Sequence, residues 1–316
     1  MEQQSVPSKV TEQGTRKTVI KPTTADQNWA REHLNALIFL GPSLLVLGVF
    51  VFYPMIKTLY LSLFLTNDAG KATVFVGFSN YLSLFKNPGY LSSLVSTLIY
   101  VALVCVATVA IGLLLAVAAD QNLKGIRWFR TLFSSTMGVS VSVAAIFWLF
   151  VFNPSVGVLT QLSNWLHLPV LNWLTDPKLA MVAIVTTTVW MNLGFTFLII
   201  FGALQQVPRN LYEAADVAGV SKISQVFKIT VPMISPTLFF VMIVTMIDAF
   251  KSFGLIDLMT AGGPNNATNF LVYRIYQDAF LNGNYGQAST ESIILTVIIA
   301  IMTLIQFKVL ERRVNY

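Results

Sequence analysis

Charged side chains are scarce in this chain of 316 residues. Asp, Glu, Lys and Arg together make up 11% of it, whereas 55% is hydrophobic. Soluble domains average about 25% charged residues, so the composition favours a protein that lies in a membrane. The alternation of apolar and polar residues that marks a membrane β-barrel is also missing. We therefore expect an all-α, polytopic membrane protein.

Cysteine and histidine are scarce as well. Cys105 is the one cysteine, so no intrachain disulfide can form. His33 and His167 have no ligand-type spacing to Cys, Asp or Glu, and we expect no metal site. The Gly70-Lys71 pair lacks both the earlier glycine and the following Ser or Thr of a phosphate-binding loop. The chain is therefore not expected to be an ATPase.

Long apolar runs take the place of these features. A helix needs about 20 residues to cross a bilayer, and six runs meet this length: 36–57, 92–118, 131–152, 180–204, 234–256 and 288–308. The runs predict six transmembrane helices in one bundle.

Lysine and arginine are distributed unevenly between the two sides of this bundle. They gather before the first run, in the loops after the second and fourth runs, and at the C-terminal end. The opposite loops contain only Lys71, Lys86, Lys178 and Arg274. Because the basic side of a membrane protein faces the cytoplasm, we predict that both termini are cytoplasmic in a cell membrane. The basic clusters flank spans, so nucleic acid is not an expected partner.

These boundaries divide the chain into four parts. We predict a disordered cytoplasmic tail, a first transmembrane helix with an extracellular loop, a five-helix core with a cytoplasmic polar loop, and a second cytoplasmic tail. In that order they cover 1–34, 35–90, 91–308 with the loop at 205–233, and 309–316.

The 205–233 loop contains an ordered polar segment, EAADVAGVSKISQVFKITVP, which begins at Glu213. Pro208 suits the first position of a helix, and Gly219 can adopt the left-handed conformation that ends one. Ser221 can cap a second helix, which we expect to stop before Pro232. The pattern predicts two short helices around a hinge, and the simplest alternative is an ordinary solvated helical loop.

The spacing of the loop residues resembles the EAA loop of ABC importer permeases. The residues that carry this resemblance are Glu213, Ala214, Ala215, Gly219, Ile229 and Pro232, with Val231 where that family has Leu. Other stretches resemble the carbohydrate-uptake permeases: Val76–Tyr81, Phe152–Pro154, Gln206–Pro208 and Gly262–Pro264. Within that group, Ala249–Asp257 and Leu271–Tyr276 are similar to the first (A) subunit type of glycerol-3-phosphate permeases.

The resemblance implies a type I ABC importer permease fold and a transport subunit that is not itself an enzyme. It implies a second permease subunit as a heterodimer partner, a dimer of ATP-binding subunits, and an extracellular or periplasmic solute-binding protein. Glu213 would make a charged contact in a cleft of the ATPase, which alone would bind ATP. The expected solute is sn-glycerol-3-phosphate or a related small carbohydrate. An unphosphorylated sugar or oligosaccharide is the alternative, and an ion-coupled secondary transporter is a more distant one.

Polar residues inside the apolar runs are candidates for the substrate pathway, because charges within a span are costly. Asp248 and Lys251 lie three residues apart, hence on one helical face. Either the two charges neutralise each other inside the bundle, or Lys251 faces the pathway and meets a phosphate group. Asn192 and Trp190 could bind a hydroxyl-rich solute. Glu291, at the outer end of the sixth run, is expected to be solvated.

Overall fold

The computed structural model describes residues 38–120 and 126–310, with only the backbone described at residues 309 and 310. The predicted tail at 1–34 lies outside this range, and so does the predicted tail at 309–316 except for residues 309 and 310, which are helical. The chain divides into two compact units, Met1–Met55 and Ile56–Tyr316. The described part of the first unit is helical, and the packing described below belongs to the second unit.

Apart from one short hairpin, the regular elements of the described chain are helices. In chain order they are α1 (Ile38–Leu61, π-helical at Gly48–Phe52), β1 (Phe64–Thr66), β2 (Ala72–Phe75), α2 (Ser79–Lys86), α3 (Pro88–Ala119), α4 (Ile126–Ser134, followed by a 3-10 turn at Ser135–Gly138), α5 (Val141–Val151), α6 (Val158–Trp165), α7 (Pro177–Leu204), α8 (Arg209–Val217), α9 (Lys222–Met233, π-helical at Val226–Thr230), α10 (Ser235–Phe250), α11 (Gly254–Met259), α12 (Leu271–Tyr276, followed by a π-helical turn at Gln277–Leu281) and α13 (Tyr285–Leu310).

Four of these helices, α1, α3, α7 and α13, are long and apolar enough to cross a membrane. The third and fifth predicted spans have a different form. The stretch from α4 through its 3-10 turn bends by 111° into α5, and α9 bends by 76° into α10. The described chain therefore has four spans, or up to six if each bent pair counts as one. The six predicted transmembrane helices agree with the upper number. The run 131–152 is bent between α4 and α5, and the run 234–256 holds α10 and the start of α11.

The bend between α4 and α5 has a local and a tertiary cause. The Ser140 hydroxyl accepts a hydrogen bond from the amide of Val143 at 3.4 Å and so caps the start of α5. The preceding turn lies against Gly194 of α7, where an added Cβ would be 2.5 Å from Thr136 Oγ1. Small residues permit such close contacts between membrane helices. Helix α5 is largely apolar, whereas α4 also contains Arg127 and Arg130.

Helix α10 ends at Phe250, several residues before the predicted end of its span. The amide of Lys251 is shared between the carbonyls of Ile247 and Asp248, at 3.2 and 3.1 Å. Shared donors of this kind are common at helix termini. The chain then turns and continues as the short helix α11.

Helix α7 lies at the centre of the second unit. It packs along α3, and α10 packs against both helices. Gly112 of α3 approaches α7 so closely that an added Cβ would lie 2.5 Å from Thr196 Cγ2. The hydroxyls of Tyr100 and Thr188 are hydrogen-bonded across the same pair at 2.9 Å. These contacts fix the two helices in register along their length.

The hairpin of β1 and β2 is an addition to the predicted all-helical fold. The strands are antiparallel, with Phe64 opposite Phe75. The Asn80 amide donates to the carbonyls of Ser62 and Phe64 at 3.0 and 3.1 Å, and the Thr290 hydroxyl of α13 donates to the Ser62 carbonyl at 3.2 Å. Side chains of α2 and α13 therefore hold the hairpin in place.

A buried ion pair ties α12 to α13. Glu291 is 0% exposed, and its Oε1 accepts a hydrogen bond from Arg274 Nε at 2.9 Å. Asp278 Oδ2 lies 3.9 Å from the same nitrogen. The expectation that Glu291 is solvated was therefore wrong, because α12 and the following turn fold over the end of α13. Within the described residues, Glu291 Oε2 has no hydrogen-bond partner, so Arg274 is its main compensation.

Loss of this arginine should destabilise the protein strongly. Arg274→Ala leaves the Glu291 carboxylate buried without its cation, and removing one partner of a buried pair costs about 3–5 kcal/mol. Thermal unfolding in detergent should show a large decrease in midpoint, and adding Glu291→Gln should restore much of it. Lys178→Ala, which removes an exposed lysine, is the control. A wild-type midpoint for Arg274→Ala would contradict the role of the pair.

Candidate functional site: the 205–233 loop

The first helix of the 205–233 loop is α8. Pro208 was predicted to be the first residue of this helix, but it is the N-cap residue, and the helix begins at Arg209. The predicted left-handed glycine is confirmed, since Gly219 has φ +72°. Its amide bonds to the Asp216 carbonyl at 3.0 Å, and the Val220 amide bonds to the Ala215 carbonyl at 2.9 Å. These bonds close the end of α8 and reverse the chain.

The second helix of the loop is longer than predicted. Ser221 caps it, as expected, by accepting the Ser224 amide at 3.4 Å. The helix does not stop before Pro232 but continues to Met233. Proline has no N–H to contribute to a helix. The adjacent π-helical turn, in which the Val231 amide bonds back to Val226, lets the helix continue at this point.

Polar side chains join the two helices into one hairpin. Lys222 Nζ lies 2.6 and 2.8 Å from the two carboxylate oxygens of Asp216, and Gln225 Nε2 donates to Asp216 Oδ1 at 2.6 Å. These hydrogen bonds, chiefly that from Lys222, lower the pKa of the Asp216 carboxyl. The Tyr212 and Thr230 hydroxyls are bonded at 2.9 Å further along the hairpin. The loop therefore has a defined shape of its own.

Several apolar side chains of the hairpin are exposed. Val217 is 92% exposed, and Ile223 and Phe227 are exposed as well. Glu213 and Ala214 are also exposed, and Glu213 has no ion pair among the described residues. Exposed apolar side chains near a carboxylate without an ion pair in the described residues make this hairpin a candidate protein-docking site.

The predicted coupling residues divide into two groups. Glu213, Ala214 and Gly219 lie on the exposed surface. Ala215 is buried, and Ile229 and Pro232 are half-buried. The first group can contact another protein, whereas the second supports the hairpin from within.

A cleft of about 530 Å³ opens between this hairpin and the ends of α3 and α7. Its lining includes Asp120, Arg209, Tyr212, Glu213, Asp216 and Gln225. Asp120 was not among the predicted site residues. Its position, just after the second apolar run, places it at the end of a span on the same side as the loop. No three potential metal ligands gather here or elsewhere in residues 38–120 and 126–310.

The predicted pathway residues of α7 lie in different surroundings. The Trp190 ring stacks on Phe147 with centroids 5.8 Å apart, and Trp148 meets it edge-on at 5.9 Å. Asn192 is half-buried. Because residues two positions apart on a helix do not face each other, the structure does not bring Trp190 and Asn192 onto one face. Trp190 belongs to an aromatic cluster that the sequence did not predict.

The charged candidates of α10 do not form the expected pair. Asp248 and Lys251 are both exposed, and the ion pairs of the described chain do not include either of them. The interpretation that they neutralise each other is therefore wrong. Lys251 lies just beyond the last turn of α10, where its ammonium group is free to meet an anion.

Comparison with known proteins adds to this geometry. Residues 108–316 match the family model described as "Binding-protein-dependent transport system inner membrane component". The sn-glycerol-3-phosphate transport system permease protein UgpA of Agrobacterium fabrum is 34% identical over 88% of this chain and 95% of its own length. The protein of the same name from Pectobacterium atrosepticum is 36% identical over 87% of this chain and 93% of its own.

Solved structures show the same fold. A chain of a bacterial ABC transporter involved in the import of the acidic polysaccharide alginate superposes with a TM-score of 0.77 at 21% identity, over 90% of this chain and 98% of that one. A chain of the MetNI methionine ABC transporter gives a TM-score of 0.52 at 17% identity, over 75% and 99%. At such identities the likeness concerns the fold alone.

The loop hairpin should loosen in acid. Because its pKa is lowered in the folded protein, Asp216 stabilises the hairpin above the ordinary aspartate range, and this contribution is lost as the pH falls through the lowered pKa. Hydrogen-exchange protection factors in residues 209–225 should decrease over that range. Asp216→Asn should reduce them at neutral pH and flatten the pH dependence, whereas Asp68→Asn in the turn between β1 and β2 should not. An unchanged profile for Asp216→Asn would refute this account.

Proposed function

This chain belongs to the binding-protein-dependent transport system inner membrane components, and we propose that it forms part of the path by which an ABC importer takes up sn-glycerol-3-phosphate. The main support for this proposal is the sequence identity of the chain to permeases named for that solute, which extends along most of both chains. The chain is thus a multi-pass membrane protein and a transport component. A related small carbohydrate remains within the proposal.

The energy for transport enters from another chain in this proposal. One subunit of an ATP-binding dimer docks on the exposed face of the hairpin, and Glu213 makes a charged contact in a cleft of that subunit. Closure of the dimer on ATP moves the 205–233 loop, and the bundle changes from inward-facing to outward-facing. A second permease completes the pathway, and an extracellular or periplasmic solute-binding protein delivers the solute. The loop and both termini are then cytoplasmic.

Several observations support docking at this face. The hairpin has an ordered shape, so it can transmit a displacement without first folding. Its small residues, Ala214 and Ala218, allow another backbone to approach closely, and Val217 offers apolar surface beside them. Glu213 supplies a charge with no competing partner in the described chain.

Reversing the charge of Glu213 tests the proposal. When the chain is expressed with its neighbouring genes, we expect an ATPase to copurify with it. Glu213→Lys should weaken that association by about 10-fold or more, because it places a like charge where a complementary one is needed, and uptake should fail with it. Asp68→Lys makes the same charge reversal in the turn between β1 and β2 and is the control. If no ATPase copurifies and Glu213→Lys transports normally, the importer proposal is wrong.

The same experiment separates the alternatives. An ion-coupled secondary transporter would move its solute without an ATPase and would respond to the ion gradient instead. An importer of an unphosphorylated sugar or oligosaccharide would keep the ATPase but differ in solute. The structural neighbour named for alginate import does not favour that alternative, because the likeness extends to the fold only.

Lys251, Asp248, Trp190 and Asn192 are the proposed residues of the solute pathway. Lys251 favours a phosphorylated solute over a neutral one, because its ammonium group can pair with a phosphate. That group has no ion pair in the part of the chain that the structure describes. Trp190 offers an aromatic surface to the carbon skeleton, and Asn192 offers an amide that can donate and accept.

Substitution of Lys251 tests the nature of the solute. Lys251→Ala should abolish uptake of glycerol-3-phosphate by reconstituted importer while basal ATP hydrolysis continues, because only the solute contact is lost. Lys251→Arg keeps the charge and should retain much of the uptake, and Lys178→Ala serves as the control. Unchanged affinity and transport in Lys251→Ala would remove Lys251 from the pathway.

A further inference from the structure

Three helices meet at one carboxylate beside the 205–233 loop. Asp120 is the C-cap residue of α3. Its Oδ1 accepts a hydrogen bond from Gln205 Nε2 and lies 3.7 Å from Arg209 Nη2. Gln205 is the C-cap residue of α7, and Arg209 is the first residue of α8. The two partners of Asp120 therefore stand on either side of the turn that joins α7 to α8.

The end of α3 is itself firmly held. Arg130 of α4 donates two hydrogen bonds to the carbonyl of Ala119, from Nε at 3.2 Å and from Nη2 at 2.8 Å. The same guanidinium lies over the ring of Phe201 on α7, 4.4 Å from its centroid. Asp120 thus projects from a support that joins α3, α4 and α7.

The turn between α7 and α8 needs such a support if it is to transmit a displacement. Its own hydrogen bonds are short-range, from the Gln206 amide to Ala203 and from the Val207 amide to Leu204. A few residues of this kind between two helices can absorb a rotation as a hinge. A carboxylate that binds the residues before and after the turn restricts that rotation from the side of α3.

We propose that Asp120 is a positioning residue that holds α8 at a fixed angle to α3 and α7. A displacement of the 205–233 loop then moves both spans together, so that ATP hydrolysis is converted into transport. This inference rests on the proposed function, because it requires a partner that moves the loop.

The contact between Asp120 and Arg209 is exposed, so a positioning role can be distinguished from a role in stability. The Arg209 and Asp120 side chains are 63% and 25% exposed, and ion pairs as exposed as this add little to stability. Removing the carboxylate should therefore change how hydrolysis is coupled to transport, with little effect on folding or assembly.

The test measures solute uptake and ATP hydrolysis in the same proteoliposomes, with the complete importer and its binding protein. Asp120→Ala should lower the solute transported per ATP hydrolysed by about 2- to 30-fold, the range for residues that carry coupling. Asp120→Asn keeps an acceptor for Gln205 but loses the charge facing Arg209, and should give a smaller decrease. Melting temperature and ATPase copurification should remain those of the wild type. Asp68→Ala is the matched control.

Exchanging the charges of Asp120 and Arg209 tests whether coupling can be restored. Asp120→Arg should lower the ratio, and so should Arg209→Asp, whereas the double variant restores opposite charges and should recover part of it. Recovery would show that the contact itself matters, since a loss of two unrelated residues would not be reversed by combining them.

The outcomes separate this inference from the proposed function. If Glu213→Lys abolishes uptake while Asp120→Ala and Asp120→Asn keep the wild-type ratio, the positioning role is wrong and the importer stands. If Glu213→Lys has no effect either, both are wrong. A decreased ratio that accompanies a lower melting temperature in Asp120→Asn would also overturn the positioning role, since folding would then explain it.

Discussion

Close contact between α3 and α7 sets the positions of α5 and α10. Gly112 admits the Thr196 side chain between the two axes, and Gly194, two residues before Thr196, admits the turn that precedes α5. Burial of apolar area discriminates little between arrangements in a membrane, because lipid is as apolar as the helices. Steric fit at small residues therefore decides which helices touch, and α10 packs against both α3 and α7.

The same helix pair connects the membrane part to the loop. Helix α7 runs into the 205–233 loop, and α3 ends beside its first turn at Asp120. A loop attached to one span alone would swing about its attachment. In the importer that we propose, contact with a second span makes the loop, α3 and α7 move together when a partner displaces the loop.

Most of the loop could be predicted from its own residues. A left-handed glycine, a serine cap and a proline act over three or four positions, so Gly219 and Ser221 were assigned correctly. The π-helical turn before Pro232 was not, because an added residue in a helical turn has no distinctive residue type. Glu291 was misassigned for another reason: whether a carboxylate is buried depends on what folds over it. Glu291 is covered by α12, and Lys251 is left open.

The sequence by itself determined that the chain is helical and membrane-embedded, because apolar length and the obligation to satisfy backbone hydrogen bonds in lipid are properties of segments. It also determined the hinge of the 205–233 loop. The tertiary structure alone decided where the spans break, which charges pair and how the loop is braced. These features depend on contacts between residues far apart in the chain, such as Gly194 with Thr136 and Asp120 with Arg209. A local sequence pattern does not show which distant residues are in contact.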